Sequence, residues 1–274
     1  MSDLELVRTI LVEFPYGLLG SLVAAVLCGY LSVFIVSKRI VFVGATLTQV
    51  AVAGIALSHL LLPHSGAEVG AMVVTLTVVV ALARLLRSGH VARDTVLGIS
   101  FVIAIALRIL IIQVSPATEV AEIDAILKGD MLFVTPDQFI MLAVTAALLL
   151  AVHLAFQKEF MYVSFDPDTA TTQGIRAERW EILFYVTIAI AISVATRIVG
   201  DVFVFGFLVL PAATAALLAR RMSTIFLVSV IAGAIPPSLG LYAAFRLDLP
   251  AGPTTVAVSF ILFIVTWIFR RQRA

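Results

Sequence analysis

Charged residues and cysteine are scarce in this 274-residue chain. Only 13% of its residues are charged and 62% are hydrophobic, whereas soluble domains are about 25% charged and about 45–50% apolar. One soluble core of this size cannot bury so much apolar surface, so the composition predicts a protein that lies in a lipid bilayer. The single cysteine, Cys28, excludes an internal disulfide and a cysteine-based zinc cluster. With a net charge of +1, no nucleic-acid partner is expected.

Signatures of catalysis are also missing. The sequence has no GxxxxGK[ST] phosphate-binding loop, so ATP hydrolysis by that route is excluded. The HExxH and GxSxG patterns of common hydrolases are absent as well. We therefore expect a transport subunit without enzymatic activity of its own and without a covalently bound cofactor.

Long uncharged apolar stretches recur along the whole chain. A helix needs about 20 mostly apolar residues to cross a bilayer, and shorter ones suffice when flanking Arg and Lys side chains reach the interface. We predict an all-α, polytopic bundle of eight or nine transmembrane helices forming a single domain, residues 1–274, with one span broken or re-entrant. We expect the first span to be retained as a transmembrane helix and not cleaved as a signal peptide. The residues before it are not predominantly basic, and its apolar run is too long for a signal peptide. The predicted spans are 14–37, 40–62, 69–83, 95–114, 139–156, 182–196, 202–219, 222–245 and 249–269.

Basic residues sort to alternate connections, which predicts the orientation. Most of them fall on one side, and loops rich in Lys and Arg are typically cytoplasmic. Nine spans with the N-terminus outside and the C-terminus inside satisfy this pattern. The expected outer group is Arg8, Lys128 and Arg246; the expected cytoplasmic group is Lys38, Arg39, Arg84, Arg87, Arg93, Lys158, Arg176, Arg179, Arg220, Arg221, Arg270, Arg271 and Arg273.

The connection 157–181, on the expected cytoplasmic side, contains the segment SFDPDTATTQGIRAERWE. Asp166 before Pro167 predicts a short capped helix, and Gly174 is expected just after its end. A short amphipathic helix on a cytoplasmic loop is typical of a docking element. A solvated linker is the alternative.

Ionisable residues inside the spans are the next candidates, because charge at bilayer depth is costly and usually functional. For Arg108 we expect the side chain to snorkel to the outer interface. Arg197 and Asp201 are four residues apart and share one helical face if the helix continues through Gly200, so we expect them to neutralise one another. Pro211 and the pair Pro236-Pro237 are expected to mark kinks.

The second span carries the remaining polar candidates. Its outer end holds His59, with His64 in the following turn, and histidine is a common metal ligand. An interfacial histidine without a ligand role is the alternative. Thr46, Thr48 and Gln49 make part of this span polar, which indicates either helix packing or the lining of a polar pathway.

Five segments in the right order resemble the family of ABC-type zinc, manganese and iron permeases, relatives of the high-affinity zinc uptake permease. The similarity extends from residue 14 to the C-terminus. The segments are the opening pair of spans FPYGLLGSLVAAVLCGYLSVFIVSKRIVFVGATLTQVAVAGIAL; ILKGDMLFVTPDQF, with Gly129, Asp130, Val134, Thr135 and Pro136; SFDPDTATTQGI, with Asp166, Ala170 and Gly174; FLVLPAATAALLARR, with Leu208–Ala213; and DLPAGPTTVAVSFILF, with Pro250, Gly252 and Pro253.

This resemblance implies the ABC importer permease fold and a set of partners. Two permease copies would sit on two ABC ATPase subunits, which use ATP, and an extracytoplasmic metal-binding protein would deliver a divalent metal ion, zinc or manganese. The loop 157–181 would be the coupling element, with Asp166, Ala170, Gly174 and Ile175 as the residues that couple it to the ATPase. A competing hypothesis is an ion-coupled secondary carrier or a channel, which needs no ATPase.

One departure from the family pattern concerns the cargo. The resemblance implies Gly-Asp-x-x-x-His in the second span, but GATLTQ stands here, so Ala45 and Gln49 replace the carboxylate and the imidazole. Either the ion makes weak, hydrated contacts with Thr46, Thr48 and Gln49, or the cargo is a chelated metal. Asp201 is a candidate for a relocated carboxylate.

Overall fold

The computed structural model describes residues 3–61, 67–87, 92–115 and 131–271, and within these ranges it contains helices and no strands. His64, Gly129 and Asp130 lie outside the described residues. The helices are α1 (Asp3–Glu13), α2 (Pro15–Ser37), α3 (Val41–Leu61), α4 (Ala67–Arg87), α5 (Arg93–Val114), α6 (Pro136–Ala155), α7 (Gln157–Phe165), α8 (Pro167–Thr172), α9 (Ala177–Val199), α10 (Asp201–Phe207), α11 (Leu210–Leu218), α12 (Met222–Leu247) and α13 (Ala251–Arg271).

Eight helical stretches in the described ranges are long and apolar enough to cross a membrane. They are α2, α3, α5, α6, α9, the pair α10–α11, α12 and α13. The ninth predicted span corresponds to α4, in which the apolar part is the shorter stretch Met72–Leu86. The prediction of an all-α protein with eight or nine spans is therefore confirmed, and the chain is a multi-pass membrane protein.

One span is broken, as the sequence predicted. Within Asp201–Leu218, α10 ends at Phe207 and α11 begins at Leu210. Pro211 lies in the first turn of α11, where a backbone N–H would have no partner within the helix, so the lack of an N–H in proline costs no hydrogen bond. The buried rings of Phe203 and Phe207 stack with their centroids 4.0 Å apart, which packs α10 just before the break.

The described residues form two compact units. The first contains residues 3–36, 131–147 and 194–271. The second contains residues 37–61, 67–87, 92–115 and 148–193.

In the first unit, α2 and α12 approach closely because small residues face each other. The hydroxyls of Ser32 and Ser229 both donate to the carbonyl oxygen of Gly29, at 2.7 Å and 2.6 Å. A methyl group added to Gly233 would come within 3.0 Å of the carbonyl oxygen of Ala25. Tight contact between backbones is a common way for membrane helices to associate, since lipid gives no hydrophobic driving force between them.

The Val-Thr-Pro segment of the same unit forms the start of α6. The backbone N–H of Thr135 donates to Oε1 of Gln138 at 3.0 Å, and the N–H of Gln138 donates back to the Thr135 hydroxyl at 3.3 Å. This reciprocal pair is a capping box, and Pro136 at the first helical position completes it. The sequence TPDQ thus determines where this span begins.

In the second unit, aromatic packing around His153 holds three helices together. The ring of His153, on α6, stacks on Phe160 of α7 with 4.4 Å between centroids, and its Nε2 lies 2.8 Å from the hydroxyl of Thr187 on α9. The ammonium group of Lys38 lies 4.5 Å from the centroid of the Phe184 ring, also on α9. The beginning of the loop 157–181 is therefore packed against two spans.

We expect Gly240→Ala to destabilise the protein. A Cβ atom at Gly240 would lie 2.5 Å from the Cα atom of Thr255 on α13, so backbone must move, and overpacking of this kind costs about 1–3 kcal/mol. Gly98→Ala is the matched control, because no atom lies within 4 Å of its added Cβ and alanine favours a helix. Thermal unfolding in detergent should show a lower midpoint for Gly240→Ala alone. Equal midpoints for the two variants would contradict this packing.

Candidate functional site

The polar residues of α3 divide into two groups. Thr46 and Thr48 are buried, and their hydroxyls donate to backbone carbonyls: Thr48 to Ala45 at 2.8 Å, and Thr46 to Phe42 at 2.9 Å. The Thr46 hydroxyl also lies 3.2 Å from the carbonyl oxygen of Leu97, so it joins α3 to α5. These contacts fit the packing interpretation of the two threonines.

Gln49 belongs to the second group, because its side chain meets a charge. Nη1 of Arg108, on α5, donates to Oε1 of Gln49 at 3.0 Å. The Nε atom of Arg108 is buried and has no hydrogen-bond partner among the described residues. We expected this arginine to snorkel to the interface; instead its guanidinium binds a side chain in the middle of α3. In the sequence, the signal for this contact was only that an arginine and a glutamine both lie inside predicted spans.

The condition for a helical face shared by Arg197 and Asp201 is not met, and their mutual neutralisation stays a prediction. Helix α9 ends at Val199, and Gly200 has φ 89°, a left-handed conformation that glycine adopts readily. Helix α10 then begins at Asp201, whose carboxylate accepts a hydrogen bond from the N–H of Val202 at 2.7 Å. Because the helix does not continue through Gly200, a spacing of four residues does not place the two side chains on one helical face.

The structure does not test the two metal-ligand candidates, His59 and Asp201. His59 lies near the end of α3, but its side chain is outside the described part of the chain, and Asp201 begins α10. Within the described residues, no group of three or more His, Cys, Asp or Glu side chains could hold a metal ion. A resident metal centre is therefore not supported by these residues.

The loop 157–181 contains the predicted capped helix, α8. Oδ1 of Asp166 accepts from the backbone N–H of Thr169 at 2.9 Å, which satisfies one of the free donors at the helix start. At the other end Gly174 has φ 83°, and the N–H of Ile175 donates to the carbonyl oxygen of Ala170 at 3.0 Å. This is a Schellman motif, and it confirms Gly174 as the residue after the helix. Ala170 is buried.

A surface groove of about 560 Å³ lies beside this motif. Two arginines, a glutamate and a tryptophan give it a mixed basic and aromatic character. Sequence reasoning missed this groove; Arg176 immediately precedes α9 and Arg179 lies in the first turn of that helix. The groove is lined by Glu159, Gly174, Ile175, Arg176, Arg179, Trp180 and Leu183.

Comparisons with known proteins agree with this architecture. The chain is 26% identical over 244 residues to the "Probable iron transport system membrane protein" of Haemophilus influenzae, covering 89% of this chain and 85% of that protein. It is 28% identical over 259 residues to the "Manganese import system permease protein ScaB" of Streptococcus gordonii, covering 94% and 91%.

Two solved structures show the same fold. "PsaBC from Streptococcus pneumoniae in complex with Fab" superposes with a TM-score of 0.83 at 24% identity, covering 96% of this chain and 95% of that one. "An inward-facing conformation of a putative metal-chelate type ABC transporter" superposes with a TM-score of 0.76 at 17% identity, covering 95% and 88%. A family model described as "ABC 3 transport family" matches residues 14–270. Because this match covers nearly the whole set of spans, the chain belongs to the ABC 3 transport family.

Proposed function

We propose that this chain is the membrane-spanning permease subunit of an ATP-driven importer of divalent metal ions, manganese or zinc. The observation that carries the proposal is the family match over residues 14–270. Relatives whose printed names specify manganese import and iron transport support metal as the cargo. The whole chain acts as one transmembrane permease domain in a bacterial inner membrane, and the metal is a substrate that passes through.

The same proposal requires partners. Because the chain has no phosphate-binding loop, ATP is hydrolysed by a separate ABC ATPase subunit. An extracytoplasmic metal-binding protein delivers the cargo, and two copies of the permease form the transmembrane part. The competing hypothesis, an ion-coupled carrier or channel, predicts metal flux in liposomes that contain this chain alone.

Coupling to the ATPase is assigned to the loop 157–181. Its helix α8 is fixed at both ends, by Asp166 and by the turn at Gly174, although it has only six residues. A helix this short is unstable by itself, so its caps indicate that its shape matters. Ala170 and Ile175 support it from the protein side, since Ala170 is buried and Ile175 half-buried. The neighbouring groove supplies the surface for a partner.

Labelling of introduced cysteines tests the orientation. We expect Thr172→Cys, at an exposed position of α8, to react with a membrane-impermeant maleimide only when the cytoplasmic side is accessible. The native Cys28 is fully buried and gives a silent background. Leu249→Cys, exposed on the expected outer side, should react from outside in intact cells. Reaction of Thr172→Cys from outside would overturn both the topology and the coupling assignment.

Substitutions of the two caps test coupling. We expect Asp166→Ala to reduce metal-stimulated ATP hydrolysis by the assembled importer, because loss of an N-cap costs about 1 kcal/mol and so lowers the ordered fraction of α8 up to about fivefold. Gly174→Ala should act similarly: no atom lies within 4 Å of its added Cβ, and its cost arises from the left-handed backbone.

Asp166→Asn is the matched control for the first cap, since asparagine caps helices as well as aspartate does. Amide hydrogen exchange of residues 168–173 should increase in Asp166→Ala and remain unchanged in Asp166→Asn. If Asp166→Ala loosens α8 in this measurement while transport and ATP hydrolysis stay at the wild-type level, the loop is not the coupling element.

A further inference from the structure

The Arg108–Gln49 pair places a positive charge deep in the membrane-spanning part of the second unit. Arg108 lies fifteen residues after the start of α5, which is about 22 Å along the helix axis. It lies six residues before the end of this helix, which is about 9 Å. Gln49 lies about 12 Å from the start of α3 and about 18 Å from its end. The guanidinium is therefore held near the middle of α3, by the 3.0 Å hydrogen bond to Gln49.

Few carboxylates stand near Gln49 and Arg108 in the sequence. The sequence has no Asp or Glu from residue 40 to 67 or from residue 95 to 118, which covers all of α3 and nearly all of α5. Helices α4 and α5 have one each, Glu68 and Asp94, both in the first turn. The described residues form no ion pair with Arg108, and its Nε has no partner among them. An ionisable residue inside a membrane protein usually faces the interior or a water-filled cavity and serves function.

The positive charge of the Arg108 guanidinium repels a bare divalent cation. Two positive groups in a medium of low dielectric constant destabilise each other strongly. A guanidinium instead presents a planar set of donors that fits a carboxylate and binds it in bidentate fashion. The chemistry selects an anion that carries carboxylate oxygens.

We propose that Arg108, oriented by Gln49, is an anion-recognition site of this permease, and that its cargo is a metal ion enclosed in an anionic, carboxylate-bearing chelate. This inference rests on the proposed function and specifies the form in which the metal crosses. Arg108 contacts the chelate; Gln49 is a positioning residue that fixes the guanidinium through its amide oxygen. The partly exposed arginine retains donors for the chelate while one is used by Gln49.

The test uses the assembled importer, with its ATPase and binding protein, in proteoliposomes. Uptake of radiolabelled Mn²⁺ and Zn²⁺ is measured without chelator and with an excess of citrate or nitrilotriacetate, and radiolabelled citrate reports entry of the chelator itself. We expect faster metal uptake with at least one of the two chelators than without them, and entry of citrate together with metal whenever citrate is the chelator that promotes uptake.

Two substitutions separate recognition from packing. Arg108→Gln removes the charge, and chelate uptake should fall about tenfold or more, as expected for loss of a charge-assisted contact. Gln49→Glu keeps an acceptor oxygen for the guanidinium but neutralises it as an ion pair, so it should preserve the thermal midpoint and still abolish chelate uptake. Arg84→Gln, which removes an exposed arginine from α4, is the matched control and should leave uptake unchanged.

The outcomes distinguish the two levels of the proposal. The anion site is overturned if metal uptake follows the free-ion concentration with both chelators. It is also overturned if Gln49→Glu takes up the chelate at the full rate. In either case the proposed metal importer stands. A drop in thermal midpoint that parallels the loss of uptake in Gln49→Glu assigns the pair to packing and likewise overturns it. Failure of the wild-type assembly to take up metal in any form refutes the proposed function itself.

Discussion

Lipid cannot form hydrogen bonds, and this constraint governs nearly every polar group in the chain. Backbone N–H and C=O groups in hydrocarbon must be satisfied within the protein, which leaves helices as the spanning element. The hydroxyls obey the same rule locally. Thr48 donates to Ala45 and Thr255 to Ala251, each to a carbonyl of its own helix. Such side chains are small, which suits positions where helices cross, and they need no hydrogen-bond partner on another helix.

The interruptions of the helices follow from the same constraint. Where a helix starts or ends, side chains replace the missing intrahelical partners: Thr135 and Gln138 at the start of α6, and Asp166 at the start of α8. Proline stands at or next to the first position of α6, α8 and α11, where its missing N–H costs nothing. These helix ends therefore fall at positions where a side chain replaces a missing backbone hydrogen bond, or where proline loses none.

Arg108 and Gln49 differ from these hydroxyls, because their hydrogen bond joins two spans through a charged side chain. Burial of a guanidinium is expensive unless it is paired, and an amide oxygen only partly offsets that cost. A permease that retains such an arrangement needs a reason other than packing, since hydroxyls and small residues serve packing elsewhere, as at the crossing of Ser32 and Ser229. Recognition of an anionic cargo supplies that reason.

The sequence by itself determined the membrane character, the set of spans, the break near Pro211 and the capped helix between Asp166 and Gly174, because apolar run length and cap chemistry are local properties. Only the tertiary structure decided how separate helices use their polar residues. It ended a helix at Val199, between Arg197 and Asp201, and it joined Arg108 to Gln49 across 59 positions of sequence. Such choices depend on how helices pack, and no local pattern encodes the distance between two helices.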